Sequence, residues 1–183
     1  MSLVDNLINN LTFFRKKQTN TSNSVLNDVN YLLKPHLKIV LNSPQIHEIN
    51  PKHVVFKCSD DDVEYLTKLS NNLIDKFKQQ IVLNEQNKII HPLLNKNLFR
   101  CVLSNNWSPS NKKSYGTYTS NYVNYNLQFY INDNSCKFQL NKINKDTIVD
   151  KVVIYIKNIW NSNDKCGMNC VIEELYINNK ELN

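Results

Sequence analysis

From Tyr122 to Ile131 the chain alternates with a period of two. Val123, Tyr125, Leu127, Phe129 and Ile131 take one set of positions, and Tyr122, Asn124, Asn126, Gln128 and Tyr130 take the other. A helix has no use for this pattern, because its faces repeat every ~3.6 residues, whereas a strand sends one set to a core and the other to water. Asp133-Asn134 then offers turn residues, and Cys136-Lys137-Phe138-Gln139-Leu140 is apolar at every second position, which predicts a hairpin. A longer hairpin is predicted from Val152–Trp160 and Met168–Ile177. Its link, Asn161 to Gly167, is rich in turn formers, with Gly167 free to take positive φ.

Earlier in the chain, His36–Leu41, Lys52–Cys58 and Leu98–Leu103 are further strands, the first ended by Asn42-Ser43-Pro44. One long helix is predicted over Asp60–Gln80. Ser59 or Asp60 can cap it, Asp61, Asp62 and Glu64 sit in its first turn, and Lys76 and Lys78 sit near its end, all with the sign that the helix dipole favours. Val63, Leu66, Leu69, Leu73, Ile74 and Phe77 form its apolar stripe. Capping accounts for the acidic trio Asp60-Asp61-Asp62 without a metal.

At the start of the chain, Leu3, Val4, Leu7, Ile8, Leu11 and Phe14 are spaced for a short amphipathic helix over residues 2–14. Arg15-Lys16-Lys17 and the polar segment Gln18–Ser24 follow it. The expected fold is mainly β with one long helix (α+β): an OB-like small β-barrel with a short N-terminal helix. Residues 1–24 would form the helix and a flexible joint, and residues 25–183 a single OB-like β-barrel domain. A chain of 183 residues buries enough surface to fold without disulfide or metal staples.

The five cysteines, Cys58, Cys101, Cys136, Cys166 and Cys170, are odd in number and lack framework spacing. Residues 2–14 contain Asp5, Asn6, Asn9 and Asn10, which a signal peptide would not tolerate. The expected location is an intracellular, reducing compartment, the cytoplasm. No run approaches the ~20 apolar residues of a membrane span, so no membrane partner is expected.

Signs of catalysis are few. His36, His47, His53 and His91 are scattered, and two glycines are too few for a phosphate-cradling loop. Cys166 and Cys170 lack the two further soft ligands that zinc needs, which leaves a pair of half-buried thiols. The expectation is a non-enzymatic protein with no cofactor and no metal.

Binding has better support. The 22 basic residues outnumber 16 acidic ones, giving a net charge of +6 that favours a polyanionic partner. Because Lys, Asn, Ile and Tyr are the residues that AT-rich coding inflates, position matters here more than abundance. Trp107–Tyr130 holds five of the nine tyrosines, one of the two tryptophans and the pair Lys112-Lys113. Tyr125 and Phe129 belong to a core, while Trp107, Tyr115, Tyr118, Tyr122 and Tyr130 are candidates to stack on bases, each exposed ring being worth about 1–3 kcal/mol. Trp160 is a further candidate ring, and Lys112, Lys113, Lys137, Lys157 and Lys165 are candidate phosphate contacts.

The last hairpin carries a resemblance. Ile159-Trp160, the polar link, Lys165-Cys166-Gly167 and the alternating strand from Met168 resemble the C-terminal hairpin of the single-stranded-DNA-binding proteins of large cytoplasmic DNA viruses. The order of features over residues 35–177 is similar as well. The resemblance implies an OB-like barrel that coats single-stranded DNA during replication or repair, without enzymatic activity and in company with replication proteins. This chain departs from that group in being short and in lacking a strongly acidic tail, Glu181-Leu182-Asn183 being a poor substitute. RNA offers the same phosphates and stacking faces. The alternative from another class is a viral or intracellular structural and protein-interaction module that self-associates through residues 2–14 or pairs with a protein along an exposed strand edge.

Overall fold

A computed structural model describes residues 8–15, 31–50, 52–80, 89–103, 127–136, 143–161 and 164–178. In chain order the elements are β1 (Thr12–Arg15), β2 (Tyr31–Asn42), β3 (Gln45–Ile49), β4 (His53–Lys57), α1 (Asp60–Gln80), β5 (Ile89–His91), β6 (Leu94–Asn95), β7 (Leu98–Leu103), β8 (Gln128–Ile131), β9 (Asn134–Cys136), β10 (Lys151–Asn161) and β11 (Lys165–Ile177). The β-rich class and the long helix are as the sequence predicts; the barrel is not. The strands form one 11-stranded mixed sheet whose main path runs β1-β2-β10-β11-β7-β4-β3, and its ends, β1 and β3, do not pair with each other.

The sheet stays open because of how β11 is used. One edge of β11 pairs antiparallel with β10 along nearly its whole length. Its other edge is tiled by three short parallel segments, β5 at Lys165–Gly167, β7 at Val171–Ile172 and β8 at Glu174–Ile177. The sheet therefore branches at β11 rather than continuing as the antiparallel meander that would curl shut. The outer edge of β3 is covered instead by the irregular segment leading into β10: Ile46 donates to Thr147 O at 2.8 Å and accepts from Asp146 N at 2.7 Å. Covering an edge with a loop blunts it as closure would.

The end of the predicted N-terminal helix is also corrected. Residues 2–7 of that helix lie outside the described residues; Ile8 and Asn9 are helical, and Thr12–Arg15 is a strand antiparallel to β2. The apolar residues that suggested a helical stripe are buried all the same: Ile8, Leu11 and Phe13 join the common core. Phe13 and Tyr31 meet the Phe77 ring edge-on at 5.1 and 5.0 Å, so tertiary packing outweighs local periodicity here.

α1 has the predicted bounds. Ser59 Oγ accepts from the Asp62 backbone N–H at 3.2 Å, which makes Ser59 the N-cap. Leu66, Leu69, Leu73 and Phe77 are buried against one face of the sheet, with Val63 partly covered. Burying such side chains stabilises by about 1.5–3 kcal/mol each. Ser70, polar within this stripe, is buried because its Oγ accepts from Leu93 N at 3.1 Å. Among the described residues no helix is long and apolar enough to cross a membrane.

The hairpins shift by small amounts. β8 and β9 turn at Asn132-Asp133, whose φ values of 48° and 62° match a tight turn with two left-handed residues, one position before the expected turn. The last hairpin is longer than predicted, with Cys166 and Gly167 inside β11 rather than in the link. Gly167 is thus not a turn glycine. It lies opposite Trp160, and a Cβ there would stand 2.6 Å from the indole ring.

Candidate nucleic-acid interface

The strands beneath α1 have a second face. On β10 the inward side chains include Val152, Ile154 and Ile156, and on β11 Cys170, Ile172 and Leu175, all in the common core. The residues between them point the other way. Register joins Lys38, Tyr155, Val171, Val102 and His53 into one row across β2, β10, β11, β7 and β4. Val153 and Val171 are buried without joining the main core, while Val40 and Val102 beside them are 38% exposed. The outer face therefore has an apolar valine centre.

Polar and aromatic groups flank that centre. A second row runs Tyr130, Tyr176, Lys151, Asn42 across β8, β11, β10 and β2. Tyr130 and Tyr176 stack with centroids 4.4 Å apart and planes at 7°, and Lys151 Nζ lies 3.7 Å from the Tyr176 ring centre. Both faces of Tyr176 are thus covered, and Tyr130 is half-buried. The Tyr176 hydroxyl donates to Glu174 Oε2 at 2.9 Å, and partial burial together with that bond pushes its pKa up to about 12. Tyr130 donates to Gln128 Oε1 at 2.8 Å.

A third row, Trp160, Gly167 and His91, crosses β10, β11 and β5 at the far end of β11. Trp160 lies flat over Gly167 with its ring centre 5.8 Å from that of His91, and it is 38% exposed. Lys165 is exposed two residues before Gly167. The aromatic rows stand about 30 Å apart, given a strand rise of about 3.3 Å per residue.

Four of the predicted site residues are described, Tyr130, Lys157, Trp160 and Lys165, and all four lie on this face. They do not form one cluster: Tyr130 is at one end, Trp160 and Lys165 are at the other. Lys157, between them, is half-buried in an ion pair with Glu173. Both partners sit where the β10–β11 register shifts, so Lys157 serves the strand pairing first. Trp107, Lys112, Lys113, Tyr115, Tyr118, Tyr122 and Lys137 lie outside the described residues. The segment holding the first six is anchored on this sheet at both ends, since Leu103 pairs with Ile172 and Gln128 with Glu174.

Sequence reasoning missed Lys38, Lys151, Tyr155, Tyr176 and Arg100. Alternation along β11 marks Tyr176 as outward, and partners of a long strand can be guessed by counting. The bulges between Val153 and Ile154 and between Ile156 and Asn158 upset that count.

Among the described residues no group of His, Cys, Asp or Glu could hold a metal ion. Cys166 and Cys170 are fully buried rather than half-buried. Burial pushes Cys58 and Cys170 up to about 12 and raises Cys101 well above the usual thiol value, the reverse of an activated nucleophile. Asp62, in the acidic trio, has its carboxyl raised by burial, with Ser59 opposing the shift. No protein-family model matches the chain, and no curated protein matches it in sequence.

Proposed function

We propose that the protein binds single-stranded nucleic acid, DNA in the first instance, along the outer face of the sheet, without sequence preference and without catalysis. The observation that carries this reading is that Tyr130, Trp160, Lys151, Lys165 and Lys38 share one face of the sheet, ranged along it on either side of a valine centre. A sheet face with protruding rings offers platforms for bases, and flanking cations follow the phosphates. Tyr130 and Trp160 supply the rings, and Lys38, Lys151 and Lys165 the cations. Trp107, Lys112, Lys113, Tyr115, Tyr118, Tyr122 and Lys137 complete the proposed set on sequence grounds. Anisotropy titration of fluorescent oligo-dT tests the reading: binding at low salt that weakens with a slope of about −0.7 per phosphate neutralised supports it. An absence of binding at low salt refutes it.

A protein-interaction role has one observation in its favour. Among the described residues the outer edge of β1 has no strand partner, and Phe14 on it is 49% exposed. Light scattering separates the two readings, because association through β1 is lost on replacing Phe14 with Asp while oligonucleotide binding is kept.

A further inference from the structure

We propose that Arg100 contacts a phosphate of the bound strand and that His53 and Glu48 hold its guanidinium in position, an inference that rests on the nucleic-acid reading above. Glu48, Val55 and Arg100 form one register row across β3, β4 and β7 on the outer face, with Val55 buried beneath the two charged side chains. His53 lies in the adjacent row, the one that runs through Val102 and Val171 to Tyr155 and Lys38. The group is therefore continuous with the centre of the proposed interface.

A guanidinium has only N–H donors and keeps its charge, so Arg100 Nη2, 3.1 Å from His53 Nδ1, donates to that nitrogen. With Arg100 as the donor, the imidazole proton sits on Nε2, 3.2 Å from Glu48 Oε1, which accepts it. Asn50 locks the other side. Its Oδ1 accepts from the backbone N–H groups of Lys52 and His53, both at 2.9 Å, and this turns its amide nitrogen toward Glu48 Oε1 at 3.1 Å. That nitrogen also lies 2.8 Å from His53 Nε2, where its N–H would need Nε2 as acceptor, so Asn50 and Arg100 compete for the imidazole's single acceptor nitrogen.

The outcome is a carboxylate–imidazole–guanidinium line ending in an exposed cation. Arg100 is exposed, and among the described residues His53 is the one hydrogen-bond partner of its side chain. A planar fork suits a phosphate's paired oxygens better than an ammonium does. Of the chain's 22 basic residues only Arg15 and Arg100 are arginine, and this one stands where a fork has both a partner to orient it and open solvent beyond it.

Oligo-dT anisotropy across a salt series reads the proposal. Arg100→Gln is expected to weaken binding about tenfold. The same variant should lower the salt slope by about 0.7, the loss of one phosphate contact. Arg100→Lys should keep the slope and bind less tightly than the native protein. His53→Ala should weaken binding, His53→Asn, which restores an acceptor near Nδ1, should recover most of it, and His53→Ala should add nothing in the Arg100→Gln background. An unchanged affinity and slope in Arg100→Gln, alongside a loss in Lys151→Gln, overturns the Arg100 assignment and leaves the broader reading standing. An undiminished His53→Ala effect in the Arg100→Gln background overturns the positioning role. Absence of binding by the native chain overturns both proposals.

Discussion

The two faces of the β10–β11 pair are built from the same strands and answer to different physics. The inner face is continuous and dry: Ile154, Ile156, Ile172 and Leu175 are almost fully buried beneath α1 and the rest of the core. The outer face is discontinuous. Valines occupy its centre, tyrosines one end, a tryptophan laid on a glycine the other, and basic side chains the margins. On the proposed nucleic-acid reading, strand parity separates stability from recognition, so a substitution should affect one and spare the other.

The largest test of that separation is on the inner face. Phe77→Ala removes the ring that Phe13 and Tyr31 meet edge-on and should cost about 3–5 kcal/mol in urea unfolding. Oligonucleotide affinity of the fraction that remains folded should not change. Next in size, Gly167→Val drives a side chain into the Trp160 ring and should cost about 1–3 kcal/mol. It should also change the intrinsic fluorescence, since the indole must lift from the strand. This is the case in which the faces are not independent.

Alkaline titration isolates the inner face again. Cys58 and Cys170 have folded pKa values raised from 9.0 to about 12, so the unfolded chain releases these protons first. Stability is therefore intact below about pH 9 and falls as pH rises toward 12, with the native thiols resisting iodoacetamide over that range. Replacing Cys170 with Ala or Val should flatten the decline. The smallest effect belongs to Glu173→Gln, which removes the partner of Lys157. A half-exposed pair of this kind is worth under about 1 kcal/mol. Freed from Glu173, Lys157 should raise affinity for oligo-dT slightly.

Much of the inner face was legible because its signals are local. The Ser59 cap, the stripe from Val63 to Phe77 and the period-two strands each follow from a few neighbouring residues, and α1 has the bounds those residues define. The open sheet was not legible, because it depends on which distant segments share the second edge of β11. Nothing in Ile89–His91 or Leu98–Leu103 announces a parallel partner. Thr12–Phe14 misled for a related reason: its spacing suits a helix, but Phe77 and β2 draw it into a strand. On the outer face, Tyr130 and Trp160 could be singled out by type and position. The Arg100–His53–Glu48 group joins three strands and has no motif to betray it.

Lysine footprinting by acetylation and mass spectrometry, with and without saturating oligo-dT, compares the faces directly. Lys38, Lys151 and Lys165 should be protected by the oligonucleotide, while Lys68 and Lys78, exposed on α1, should react equally in both samples. Protection confined to Lys68 and Lys78, or no protection at any of the five, would contradict the assignment of the outer face as the binding surface.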